Sequence, residues 1–157
     1  MISGVSSQSF NNVFSATYEN YKILFALTAT SASPGVNLRL RVGGVDASGG
    51  NYQGGGFFNR NTAATLFGQD LLNGTYFELG NADSGQTSNR YTMECLSPFL
   101  AQRTALQIFT AGFEAGGAPY GRVQLSNHNL STSYDGFTIL PTTGTITGKV
   151  SVYGYNI

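Results

Sequence analysis

The sequence predicts an all-β fold: a single-domain antiparallel β-sandwich, jelly-roll-like, over residues 1–157. Apolar residues recur at every second position in many short segments, as they do in strands with one buried face. Gly, Pro and Asn separate these segments at short intervals, which is typical of sandwiches and barrels. No stretch of about 12 residues has a helical period free of Gly, Pro and β-branched clusters, so helices are not indicated. Alternation does not reveal strand order, so other sandwich topologies stay open.

The first two predicted strands show the alternation clearly. Residues 19–28 have apolar side chains at the odd positions from 21 to 27. Residues 36–42 have apolar side chains at 36, 38, 40 and 42, with two arginines on the opposite face. This arrangement predicts strands with one buried and one solvated face.

Four further strands are predicted in the middle of the chain. Residues 75–79 form a short candidate, and residues 90–97 place the side chains at 91, 93 and 95 on one face. Residues 104–111 are apolar on both faces, which indicates a strand between two layers. In residues 122–126, Val123 and Leu125 are expected to face the core, opposite two polar side chains.

The last two predicted strands, residues 137–140 and 145–155, flank a turn at 141–144 that contains Pro and Gly. Gly148 and Gly154 occupy inward positions of the final strand, which indicates close approach of another layer or of an aromatic ring.

The predicted core collects the inward residues of these strands. It consists of Tyr21, Ile23, Phe25, Leu27, Leu38, Leu40, Met93, Cys95, Leu106, Ile108, Val123, Leu125, Phe137, Ile139, Ile146, Val150 and Val152. Two glycine-rich stretches, 43–56 and 112–121, are predicted to be loops, which serve either as plain connections or as contact surfaces.

The composition narrows the classes of function. Eight Lys and Arg balance eight Asp and Glu, and only 10% of residues are charged, against roughly 25% in ordinary domains. This balance excludes an electrostatic nucleic-acid binder and argues against a polybasic membrane-surface protein. The sequence has neither a signal peptide nor an apolar run of about 20 residues, so no membrane partner is expected. A near-neutral surface favours association, as in a subunit of an assembly.

Signs of catalysis or metal binding are sparse. His128 is the only histidine, and its polar surroundings predict a solvated loop residue. Cys95 is the only cysteine and is expected to be a small buried hydrophobe. One Cys and one His cannot fill a zinc site without carboxylates, and the eight acidic residues are scattered without a motif. The sequence therefore predicts no enzyme, no catalytic or metal-binding residues and no cofactor.

Aromatic residues supply the best candidates for a contact surface. The chain has nine Tyr and eleven Phe but no Trp, which weakens a lectin interpretation without excluding one. Five aromatic residues lie in or beside the predicted loops: Tyr52, Phe57, Phe58, Tyr120 and Tyr134. The alternative is that these rings pack onto sheet edges or against neighbouring subunits.

Two stretches of the sequence resemble a known group of proteins. Residues 134–155 read YDGFTILPTTGTITGKVSVYGY, and residues 14–23 read FSATYENYKI, followed by LRLR at 38–41 and the glycine-rich stretch with Tyr52. This combination resembles small virion structural proteins of tailed bacteriophages, particularly marine and cyanobacterial phages. The resemblance implies a domain of capsid decoration proteins, head fibres or tail fibres, and it brings no catalytic residues.

The function expected from this resemblance is that of a non-enzymatic virion protein, made in the host cytoplasm. A capsid decoration or head-fibre subunit is favoured, because the chain begins at Met1 and its 157 residues leave no room for a fibre anchor. The alternative is a tail-fibre receptor-binding tip that recognises a host-surface glycan. A small glycan hydrolase is a third possibility that lacks a plausible acid–base pair. The expected partners are two further copies, forming a homotrimer, and the major capsid protein or tail and fibre proteins.

Overall fold

The computed structural model describes residues 1–30, 34–60, 65–85 and 89–157. Within these residues it contains thirteen strands and one short 3-10 turn at Ala115–Gly117. The strands in chain order are β1 (Ile2–Val5), β2 (Gln8–Phe10), β3 (Asn20–Ala29), β4 (Gly35–Val42), β5 (Val45–Asp46), β6 (Tyr52–Arg60), β7 (Leu66–Gly74), β8 (Phe77–Asn81), β9 (Asn89–Leu96), β10 (Thr104–Phe113), β11 (Pro119–His128), β12 (Gly136–Pro141) and β13 (Ile146–Tyr155). In the described part of the chain, no helix is long and apolar enough to cross a membrane.

The strands form two sheets. The larger sheet has the order β1-β13-β3-β9-β10-β11-β6-β7. The smaller sheet has the order β2-β12-β4-β5, and β8 pairs with β4. All described pairings are antiparallel, and the chain passes repeatedly between the sheets. The fold is therefore the predicted antiparallel β-sandwich with jelly-roll-like winding.

One hydrophobic core lies between the two sheets. The inward residues of β3, β9 and β10 pack against those of β4, β8 and β12. Phe25 of β3 meets Phe137 of β12 edge-on, with ring centroids 6.1 Å apart. Tyr52 of β6 meets Phe77 of β8 in the same way at 4.6 Å. Burial of these rings removes a large apolar area from water and holds the two layers together.

Most of the predicted core is confirmed, but β11 is a correction. Val123 and Leu125 were expected to be buried and are exposed, whereas Arg122, Gln124 and Ser126 point inward. Val150 and Val152 of β13, also expected in the core, are partly buried against it. The inverted orientation of β11 follows from a polar network inside the sandwich, described below.

The glycine-rich stretch 43–56 was predicted to be a loop, and this prediction was wrong for half of its length. Val45–Asp46 forms β5, and β6 begins at Tyr52 and includes all three glycines from 54 to 56. The stretch 112–121 likewise contains the end of β10 and the start of β11 around one 3-10 turn. Strands β1, β2 and β7 were not predicted, because none of them has a clear apolar alternation.

The close approach of an aromatic ring is confirmed at Gly154, where a Cβ would overlap the ring of Tyr18. At Gly148, a Cβ would instead overlap the carbonyl oxygen of Ala26 in β3, the neighbouring strand of the same sheet. Cys95 is buried in the core, also as predicted.

Candidate functional site

The outer face of the larger sheet carries an exposed group of apolar side chains, here called the apolar patch. Phe109 of β10 lies opposite Val123 of β11, and Val123 lies opposite Phe57 of β6. Leu125 follows on the same face of β11, and Leu66 of β7 lies next to Phe57. These five side chains are between 46% and 65% exposed. Exposed apolar groups that lie together mark contact surfaces more often than single exposed residues do.

Phe57 stands as a ridge between two depressions in this face. The first has a volume of about 670 Å³ and is lined by Phe57, Phe109 and Leu66, with Arg90 at its border. The second has a volume of about 380 Å³ and lies over Gly55 and the neighbouring glycine of β7. Glycines on the outer face leave space beside the ring, so the patch is grooved rather than flat.

A third depression of about 350 Å³ continues across the same face toward β13. It shares Arg90 and Thr92 with the first depression and reaches Lys149. Within the described residues, neither Arg90 nor Lys149 is in an ion pair. Asp70 lines the second depression at the opposite end. The face therefore has an apolar centre with cationic groups on one side and a carboxylate on the other.

Below the apolar patch lies a buried polar network on the inner face of β11. The Arg122 guanidinium forms an ion pair with the Glu78 carboxylate of β8 at 3.0 Å, and its side chain is almost fully buried. Gln124 accepts a hydrogen bond from Arg122 and donates one to Ser126 Oγ at 2.7 Å. Gln69 of β7 donates to the second oxygen of Glu78. These bonds satisfy polar groups that would otherwise be costly to bury, and they fix which face of β11 points inward.

The glycines of β6 make room for this network. A Cβ on Gly54 would overlap Ser126 Oγ, and a Cβ on Gly56 would overlap the carbonyl oxygen of Val123. The glycine-rich sequence is thus required by the close approach of β6 to β11 rather than by a turn.

His128 lies in the core, which corrects the prediction of a solvated loop residue. Its Nδ1 shares a hydrogen bond of 3.0 Å with the Tyr134 hydroxyl, and its ring lies edge-on to Tyr52 with centroids 4.5 Å apart. Burial lowers the pKa of His128, because the apolar surroundings disfavour the charged imidazolium. The residue therefore acts as a neutral packing group.

Tyr52 connects the two sheets. Its hydroxyl accepts a hydrogen bond from the Leu40 amide at 3.0 Å and donates one to the Ala47 carbonyl at 2.6 Å. Burial raises the pKa of this hydroxyl well above its ordinary value. Both hydrogen bonds are made to backbone groups of the chain itself, so the hydroxyl stabilises the fold.

Only one of the five predicted contact residues lies fully on the outer face. Phe57 is exposed there, as expected. Phe58 points to the other face and stacks on Phe67 at 5.2 Å. Tyr52, Tyr120 and Tyr134 are buried, so the prediction that they form an exposed surface was wrong. The alternative interpretation, in which these rings pack onto the sheet, describes them correctly.

Sequence reasoning missed the other members of the apolar patch. The strand at residues 104–111 was predicted to lie between two layers, and this was wrong, because its outer face with Phe109 is exposed. Leu66 was assigned to no element, and Val123 and Leu125 were assigned to the core. The run Arg122-Val-Gln-Leu-Ser126 alternates equally well with its polar residues inside or outside, so it contains no signal that identifies the exposed face. Among the described residues, no group of three or more His, Cys, Asp and Glu side chains could hold a metal ion.

The strand pairing defines the class of this protein as an antiparallel β-sandwich with an apolar outer face on its larger sheet. No family model and no curated protein matches the chain. Among solved structures, it is similar to the crystal structure of Caenorhabditis elegans galectin LEC-6, with 16% sequence identity and a TM-score of 0.40. That likeness covers 96% of this chain and 94% of the galectin chain.

Proposed function

We propose that this chain is a non-enzymatic structural protein of a bacteriophage virion, a capsid decoration or head-fibre subunit. In this proposal, the apolar patch binds a neighbouring virion protein. The observation that supports it is the inverted orientation of β11, which leaves Val123 and Leu125 outside while polar groups fill the interior. This arrangement leaves apolar side chains in water in the isolated subunit, and it supplies an apolar surface for a partner.

The composition of the patch fits a protein contact. Interface cores are enriched in aromatic side chains and depleted in charge, and Phe57 and Phe109 stand at the centre of this one. The complementary surface is expected to be apolar at its centre, with a carboxylate facing Arg90. The low charge of the whole chain reduces the cost of desolvating such a contact.

A tail-fibre tip that recognises a host-surface glycan is the second candidate. The first depression places Arg90 and Asn59 beside the rings of Phe57 and Phe109. Hydrogen-bonding groups next to aromatic faces are suited to a sugar, whose hydroxyls need partners and whose C–H face needs an apolar surface. The homotrimer and the location in the virion remain predictions from the resemblance.

The test is incorporation of the chain into phage particles. Virions are produced with the wild-type chain, with Phe57→Ser, and with Leu130→Ser as a matched control on an exposed apolar residue outside the patch. Quantitative mass spectrometry of purified particles measures the copy number, and cryo-electron microscopy locates the density. Urea unfolding checks that each variant folds.

We expect wild type and Leu130→Ser in the particle and a strong loss of Phe57→Ser. Density on the head supports the decoration or head-fibre role, whereas density at a tail tip, together with glycan binding that Phe57→Ser abolishes, supports the second candidate. Absence of the wild-type chain from particles would overturn the virion proposal. Full incorporation of Phe57→Ser would overturn the role of the patch.

A further inference from the structure

Strand β7 leaves one edge of the larger sheet open. Among the described residues, β7 pairs with β6 alone, and no strand pairs with its other side. Every second residue of its nine therefore presents backbone N–H and C=O groups outward. Open edges of this kind are templates for pairing with another strand.

The sequence of β7 lacks the features that usually prevent edge pairing. It contains no Pro and no Lys, and its only charged residue is Asp70, which points to the outer face. The opposite edge of the sheet differs, because β1 has only four residues and its pairing is irregular between Ile2 and Val5. β7 has nine residues and pairs regularly with β6 from Leu66 to Leu71, with a register shift only beyond Leu71. Short strands protect an edge, and long regular segments do not.

We propose that β7 pairs antiparallel with β7 of a second copy of this chain, across a two-fold axis perpendicular to the sheet and centred on Gln69. In this register, Leu66 lies opposite Leu72 of the second copy on the outer face. Phe67 lies opposite Leu71 of the second copy on the inner face. Gln69 meets its own counterpart, and Asp70 lies opposite Gly68.

The sequence of β7 selects this register among those that symmetry allows. Directly opposite residues in an antiparallel pair must lie on the same face of the sheet. The two-fold axis can therefore pass through a residue of β7 but not between two residues. Centring on Asp70 would place two carboxylates directly opposite each other, which is destabilising. Centring on Gly68 would place Leu66 opposite Asp70. Of these three registers, only the one centred on Gln69 pairs apolar with apolar residues and keeps the carboxylates apart.

The contact covers side chains that are exposed in the single chain. Leu66 and Leu72 are largely exposed, and Phe67 is partly so. The paired segment measures roughly 25 Å by 10 Å, or roughly 250 Å² per copy, against about 800 Å² in a stable interface. We therefore expect a weak dimer, populated only at the upper end of the micromolar concentration range. A two-fold contact closes at two copies, so it is separate from the predicted homotrimer.

This inference rests on the edge of β7 and not on the proposed function. Rotation about an axis perpendicular to the sheet does not exchange the inner and outer faces. The outer faces of the two copies would therefore lie on the same side of the dimer. The apolar patches of both copies would then face one direction and form a longer contact surface.

The first test is sedimentation velocity of the full chain over about three decades of micromolar concentration. We expect a monomer–dimer equilibrium in the wild type, and Leu72→Lys should weaken dimerisation by about ten-fold or more. Leu100→Lys, on an exposed leucine between β9 and β10, is the matched control and should leave dimerisation unchanged. A monomer at every concentration, a trimer, or a dimer that Leu72→Lys leaves intact would overturn the proposal.

The second test determines the register by oxidative cross-linking. The native Cys95 is buried in the core, so it does not compete with an introduced cysteine for the oxidant. Gln69→Cys should form an interchain disulfide, because residue 69 lies opposite itself across the axis. Asp70→Cys should cross-link much less. Efficient cross-linking of Asp70→Cys in preference to Gln69→Cys would overturn the register, whatever the outcome of the virion experiment.

Discussion

The inverted orientation of β11 predicts opposite sensitivities for two leucines on neighbouring strands. Leu125 of β11 is 62% exposed on the outer face, whereas Leu106 of β10 is 1% exposed in the core. We therefore consider Leu125→Ala and Leu106→Ala, which remove the same atoms from the two faces of one sheet. If Leu125 instead pointed inward, as the sequence predicted, both substitutions would leave a cavity in the core.

The structure sets the expected magnitudes. Truncation of a fully buried leucine to alanine costs about 2–5 kcal/mol, because apolar contacts are lost and a cavity remains. At Leu125, just over a third of the side chain is covered, so the lost transfer free energy is roughly 0.5–1 kcal/mol, with no enclosed cavity. The free energy of unfolding should therefore fall at least about twice as far for Leu106→Ala.

Urea unfolding followed by circular dichroism measures this difference. With a slope of about 2 kcal/mol per molar urea, the midpoint should fall by about 1–2.5 M for Leu106→Ala and by no more than about 0.5 M for Leu125→Ala. The measurement is made at a low micromolar protein concentration, so that dimerisation does not contribute to the unfolding midpoints. Equal shifts, or a larger shift for Leu125→Ala, would refute the assignment of Leu125 to the outer face.

Three further predictions concern the interior. Gly56→Ala should lower the unfolding midpoint, because its Cβ would overlap the Val123 carbonyl; Gly68→Ala, with open space around it, should not. The Cys95 thiol should react with a thiol reagent only as fast as the protein unfolds, since burial removes access and raises its pKa; rapid native-state labelling would contradict this. Burial lowers the pKa of His128, so the unfolded chain binds the proton more readily. Stability should therefore fall as pH drops below about 6.5, by at most about 1.4 kcal/mol per pH unit. His128→Gln should flatten that fall in urea titrations between about pH 6.5 and 5.5; an unchanged slope would refute it.

The period of the strands could be predicted from the sequence, and so could the core that depends on it. The alternation at residues 36–42 predicted β4, and the inward glycine at 154 predicted the close approach of an aromatic ring, which is Tyr18. Cys95 was placed correctly because it shares a face with other buried side chains of β9. These features depend on local order, which a single sequence contains.

The orientation of β11 could not be predicted, because alternation gives a period and not a direction. Arg122 points inward only because Glu78, distant in sequence, provides a buried ion pair there. The glycines of β6 were assigned to a loop because glycine is uncommon in strands, and their role depends on the neighbouring β11. His128 was placed in solvent because its partners, Tyr52 and Tyr134, meet it only through the fold.

The alternating faces of β11 separate two kinds of evolutionary constraint on one strand. Positions 122 and 124 face the interior, so substitutions there should be accompanied by changes at Glu78 and Gln69 within the same chain. Positions 123 and 125 face outward. If the proposed function holds, changes there should instead accompany changes in the partner protein. Substitutions at two adjacent positions of one strand would thus be independent of each other. One position would vary together with residues of its own fold, and the other together with residues of a partner protein.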